Sequence, residues 1–231
     1  MKTIGLLGGM TWHSTIIYYR LFNEFVSKKL GGINSAKVLL YSFNFKDLRE
    51  WQTTNTGLPA QNLAFQAQRL EQNGANLILI GANTMHEYYP FVQKAVSVPV
   101  LHIADTVGQK IKQSGIKKVL LLGTKYTMQG EFYKNKLAEY DIETIVPDIK
   151  NQEIINDIIY KELAFGKIKE SSRTAYLKII EEIESRSKIE GIVLGCTEIP
   201  LLINQEHTHL KVFNTTEIHA QAAVDFALNN N

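Results

Sequence analysis

The 231 residues carry 25 Lys and Arg against 23 Asp and Glu, a net charge of +2, with acids and bases interspersed. That balance argues against a nucleic-acid partner or a membrane surface. Cys196 is the only cysteine, which excludes an intramolecular disulfide and a cysteine zinc cluster, and no apolar run reaches the ~18 residues of a membrane span.

Residues 4–7 read as a buried strand ending in Gly8-Gly9. That strand starts almost at Met1, with no secretory leader before it, so a cytoplasmic protein is expected. A helix is predicted over 14–30, with Gly31 as its C-terminal cap. Residues 38–41 are the next strand, followed by an apparent loop, "FKDLREWQTTNTG". Pro59 opens a helix whose apolar face is Leu63, Ala67 and Leu70, closed by Gly74. Residues 77–80 form a strand, and a helix starts near Thr84. Residues 98–103 are extended, and Asp105 is the expected N-cap of the next helix. The pattern then restarts: strand 119–122, helix 128–138, strand 144–146, helices 152–163 and 171–185. Tyr176, Ile179, Ile180 and Ile183 form one stripe on the last of these. A strand over 192–194 and a helix over 216–228 complete the chain. Repeated βα units mean parallel sheets covered by helices.

The chain also resembles itself. "KTIGLLGG" begins at Lys2 and "KKVLLLGT" at Lys117, 115 residues later. Ala82 follows "LILIG" and Cys196 follows "GIVLG", 114 residues apart. The agreement of offsets indicates a duplicated α/β unit. The expected fold is therefore α/β, with two pseudo-symmetric domains, each a mainly parallel sheet flanked by helices. Residues 1–100 plus 206–231 would form one half and 101–205 the other, with the active site in the cleft between them. Ligands of parallel sheets sit at the carboxyl ends of the strands. Four such loops carry N–H groups with a hydroxyl or amide: 8–11, 82–84, 123–127 and 196–198. They suit a small anion, with one thiol in the wall.

At these residues the sequence resembles the aspartate/glutamate racemase family. "IGLLGGMTWHSTIIYY", "NTMH" at 83–86, "LLGTKYTM" at 121–128 and "GCTEIP" at 195–200 occur in the family's order along essentially the whole chain. "GCTE" rather than "GCTH" is similar to the aspartate-type branch. The resemblance implies an amino-acid racemase for aspartate or glutamate that uses no cofactor: no pyridoxal phosphate, metal or nucleotide. It also implies a homodimer. Trp12, Tyr18, Tyr19 and Phe22 supply more apolar surface on the first helix than one core face needs. The family places two cysteines across the substrate α-carbon, one removing the proton and the other returning one to the opposite face. Cys196 matches one of them. Ala82 stands at the position of the other, and the internal repeat points to the same place. Alanine moves no proton. Three readings stay open: an engineered variant, a divergent member working one-sidedly or with another acid, and a non-catalytic binder of acidic amino acids. Superfamily isomerases of the maleate isomerase or hydantoin racemase type are the alternative chemistry.

The expected substrate contacts are Met10, Asn83, Thr84, Thr124, Thr127 and Thr197 in the convergent loops. Gln52, Arg49 and Lys167 are candidates for the distal carboxylate. His86 reads as a structural hydrogen-bonder rather than a base, and Glu198 either orients the thiol or caps the next turn. His207 and His209 form an H-x-H pair without an evident third ligand, so no metal is expected.

Overall fold

The computed structural model describes residues 1–54 and 57–229. The chain divides into two compact units, residues 1–103 with those from 219 on, and residues 104–218. Among the described residues, no helix is long and apolar enough to cross a membrane.

The sheet of unit 1 contains β1 (Ile4–Gly8), β2 (Val38–Ser42), β3 (Leu77–Ile80) and β4 (Val100–Leu101). All pair in parallel, in the order β2-β1-β3-β4. Its helices are α1 (Trp12–Leu30), α2 (Phe45–Thr53), α3 (Leu58–Gln72) and α4 (Tyr89–Ala95). Next in the chain comes α5 (Ile103–Gln113). The sheet of unit 2 contains β5 (Lys118–Gly123), β6 (Glu143–Ile145), β7 (Gly191–Gly195) and β8 (Lys211–Asn214), also all parallel, in the order β6-β5-β7-β8. Its other helices are α6 (Lys125–Gln129), α7 (Glu131–Ala138), α8 (Ile149–Lys161) and α9 (Glu170–Ser187). The closing helix is α10 (Thr215–Leu228). The two sheets share one topology, so β1 corresponds to β5 and β3 to β7, as the internal repeat requires.

The central strands are apolar throughout because both faces are covered. Alternation then sorts their side chains. Ile4, Leu6, Leu77 and Leu79 pack with Tyr18, Leu21, Phe22 and Val26 of α1 and with Ala220, Ala223, Val224 and Ala227 of α10. Leu7, Ile78 and Ile80 face the other way, onto Leu63, Ala67 and Leu70 of α3. In unit 2, Leu120, Leu122, Ile192 and Leu194 pack with Ile155 and Ile159 of α8 and the Tyr176 stripe of α9.

Several expectations need correction. The apparent loop after β2 is largely helical: Asn44 accepts a hydrogen bond from the Lys46 N–H at 3.3 Å and starts α2. Only Leu48 of that helix is buried, so its apolar periodicity is faint. Residues 55–56 of the same stretch lie outside the described residues. Asp105 is not a cap, because α5 begins at Ile103; its carboxylate accepts from the Tyr140 hydroxyl at 3.3 Å and lies 3.5 Å from the Lys136 ammonium. The helix expected over 128–138 is two, α6 and α7, because Gly130 is extended between them. The strand β8 was missed. It pairs with β7 from Gly191↔Lys211 to Leu194↔Asn214, so residues 206–218 lie with unit 2 rather than with the first half.

Candidate active site

In unit 1 the loops after β1 and β3 lie side by side. Gly81 N–H donates to Leu7 O at 2.8 Å, and Phe43 N–H donates to Gly8 O at 3.0 Å. Gly9 has φ +81°, and a Cβ there would sit 2.1 Å from the Phe43 carbonyl oxygen, so only glycine lets the chain pass. Met10 beyond it is buried. Thr11 caps α1 by accepting from the Ser14 N–H at 3.4 Å, and Gly9 N–H donates to Thr15 Oγ1 at 2.7 Å. Ala82 is half-buried against the α3 side of the core. Asn83 is buried and leads into a 3-10 turn over Thr84–Tyr88. His86 in that turn bonds through Nδ1 to the Ala82 carbonyl at 2.9 Å. Its Nε2 accepts from the Ile103 N–H at 3.1 Å, so both ring nitrogens bond to backbone.

Unit 2 repeats the arrangement with different chemistry. Gly123 at the end of β5 is in register with Gly195 at the end of β7. Thr124 caps α6 by accepting from the Thr127 N–H at 3.3 Å, and the two hydroxyl oxygens are 3.2 Å apart. A Cβ on Gly195 would lie 3.2 Å from Thr127 Cγ2, so these threonines stand next to the cysteine loop. Cys196 is buried, and its Sγ donates to Glu198 Oε2 at 3.0 Å. Thr197 Oγ1 donates to the same oxygen at 2.6 Å. Glu198 thus contacts the thiol and makes no side-chain cap bond to the 3-10 turn over Ile199–Leu201. Burial pushes the Cys196 thiol well above its ordinary pKa, and the charge of Glu198 raises it further; the backbone N–H groups of Glu198 and Thr197 oppose this. Cys196 rests as a thiol with a carboxylate oxygen in contact.

The distal-carboxylate candidates are placed differently from one another. Arg49 and Gln52 are three residues apart on α2, so they share a helix face. Gln52 Nε2 is buried and has no hydrogen-bond partner among the described residues. Lys167 is exposed on the turn after α8, where its ammonium lies 6.0 Å from the Phe165 ring centroid. His13 was not singled out from sequence, yet its Nδ1 is buried and also lacks a partner among the described residues. One signal was its place two residues after the Gly-Gly-Met-Thr turn. His207 pairs with Asn204, and His209 contacts Glu184 at 2.8 Å.

The profile of the Asp/Glu/hydantoin racemases matches residues 7–223. This chain belongs to that family. A curated relative, the broad specificity amino-acid racemase RacX of Bacillus subtilis (strain 168), is 27% identical over 224 residues, 96% of each chain. A Yersinia pestis crystal structure described as a candidate Asp/Glu racemase is 45% identical, with TM-score 0.93 over 99% of this chain and 100% of the other. An aspartate racemase homologue from Pyrococcus horikoshii OT3 is 38% identical, with TM-score 0.89 over 99% and 100%. The two parallel four-stranded sheets with flanking helices are the fold of the Asp/Glu racemases. As a member of that family, the chain carries its cysteine at the carboxyl end of β7.

Proposed function

We propose that the protein is an amino-acid racemase scaffold for aspartate or glutamate that moves the α-proton through Cys196 without pyridoxal phosphate. The observation carrying this reading is the 3.0 Å contact from Cys196 Sγ to Glu198 Oε2 at the end of β7. Glu198 takes the sulfur proton. The thiolate then removes the α-hydrogen as a proton, and the electron pair stays on the α-carbon, delocalised into the substrate carboxylate. The polar loop residues Asn83, Thr84, Thr124, Thr127 and Thr197, with the backbone at Met10, hold the α-carboxylate and take up the charge that develops there. Gln52 holds the distal carboxylate with its buried amide nitrogen, which has no hydrogen-bond partner among the described residues; Arg49 on the same helix face and Lys167 assist. Self-association through α1 belongs to the same reading, with Trp12, Ile16 and Tyr19 exposed, whereas Tyr18 and Phe22 of the expected surface are buried in the core.

Ala82 occupies the place that the internal repeat and the family resemblance assign to a second cysteine. Cys196 then serves one face of the α-carbon only, so exchange occurs with retention rather than inversion. In D2O the chain is expected to exchange the α-hydrogen of one aspartate enantiomer without racemising it. Ala82→Cys is expected to add racemisation of both enantiomers. A folded Ala82→Cys variant that neither exchanges nor racemises aspartate or glutamate would overturn the reading. Binding of aspartate without exchange in either enantiomer would point instead to a non-catalytic binder.

A further inference from the structure

Unit 1 buries three histidines together. The His86 ring centroid is 4.8 Å from that of His102 and 5.6 Å from that of His219, and all three side chains are buried. The bonding at two of the rings fixes their tautomers. Ile103 N–H donates to His86 Nε2 at 3.1 Å, so that nitrogen carries no proton. Nδ1 therefore bears the hydrogen and donates it to the Ala82 carbonyl at 2.9 Å. His219, which burial keeps neutral, is the opposite tautomer: Nε2–H donates to Leu101 O at 3.0 Å, which leaves Nδ1 to accept from the Tyr18 hydroxyl at 2.9 Å. At His86 one nitrogen donates and the other accepts from a backbone N–H, an arrangement only the neutral form satisfies.

We propose that His86 is a positioning residue of the candidate site: its neutral ring clamps the Ala82 carbonyl to the Ile103 N–H and so sets the backbone that presents residues 82–84. The clamp joins two points 21 residues apart in the chain, the loop after β3 and the start of α5. Within the 3-10 turn after Asn83, His86 N–H also donates to Asn83 O at 3.1 Å, a local bond that leaves the tie to Ile103 to the ring. A second proton on His86 would put two hydrogens between Nε2 and the Ile103 nitrogen and would break the clamp from that side. Burial holds the His86 pKa down to about 4, so the clamp stays closed through the neutral range. The titratable groups that face His86 are His102 and His219; Tyr89 stacks edge-on against His102, and Tyr18 stands behind His219. The role of residues 82–84 in holding substrate rests on the function proposed above; the clamp itself does not.

Two measurements keep the two ideas apart. Backbone amide shifts of residues 82–84 and 103, followed in the wild-type protein as pH falls through about 4, are expected to move together with the His86 ring signals while the protein is still folded. His86→Leu is expected to shift those amides and weaken aspartate binding by roughly tenfold to a hundredfold. His86→Asn, which can still donate to the Ala82 carbonyl, is expected to recover most of the binding. Amides at 82–84 that ignore both the protonation and the substitution would overturn the proposal. So would a His86→Leu variant that binds aspartate like the wild type. If the wild type binds no acidic amino acid while the amide shifts still follow His86, the clamp stands and the functional reading falls.

Discussion

In the proposed mechanism two demands oppose each other at Cys196. Burial and the Glu198 charge keep the proton on sulfur, whereas a base must be rid of it. The contact with Glu198 Oε2 reconciles them, because the proton has an acceptor 3.0 Å away when substrate arrives. Alkylation by iodoacetamide is therefore expected to be slow at pH 7 and still climbing at pH 9. Glu198→Gln removes a charge that raises the thiol pKa, so the variant should alkylate faster at any one pH. The same change removes the proton acceptor, so α-hydrogen exchange should fall by about 10²–10⁴-fold. Parallel changes in both rates would rule out this division of roles. The residue types at 196–198 were readable from the chain, as was the alanine at the position that the internal repeat pairs with 196. The direction of the sulfur–carboxylate bond was not, because a Cys-Thr-Glu run permits either a thiol contact or a turn cap.

Among the elements, the turn after β1 shows how tightly the backbone is held. Gly9 combines φ +81° with a close approach to Phe43, whereas Gly32 has φ +59° and nothing within 4 Å of a would-be Cβ. Gly9→Ala carries both penalties and should cost about 1–3 kcal/mol and disturb the Met10 loop. Gly32→Ala carries only the backbone penalty and should cost about 1 kcal/mol. Urea denaturation of the two variants checks the order; equal losses would show that the Phe43 contact relaxes freely. The strongly periodic elements, such as α3 with Leu63, Ala67 and Leu70, were legible because burial repeats at helical spacing. α2 was not, because one buried leucine leaves no period to read. The start of α5 was misplaced because Asp105 looks like a cap, while the chain enters the helix two residues earlier.

For the molecule as a whole, the buried histidines set a pH limit on stability. His86 and His219 are held neutral in the folded state, with pKa values of about 4 and about 3, chiefly by burial. In the unfolded chain they titrate near ~6.5. Above that pH both states are neutral and stability is full. As pH falls from about 6.5 toward 4, the unfolded state takes up protons that the folded state refuses, costing about 1.4 kcal/mol per pH unit for each ring. Urea midpoints between pH 7 and 4.5 should therefore drop more steeply for the wild type than for His219→Gln. Identical slopes would dismiss the histidines as the cause. The sequence by itself determined the duplicated α/β plan, the central strands and the two equivalent positions at 82 and 196. These follow from local period, glycine punctuation and repetition, which are properties of neighbours along the chain. Only the tertiary structure decided that β8 joins β7, that three histidines meet in one core, and that Glu198 holds the thiol. Those contacts depend on where distant segments and single side chains come to rest when apolar faces are buried, and no local pattern encodes that distance.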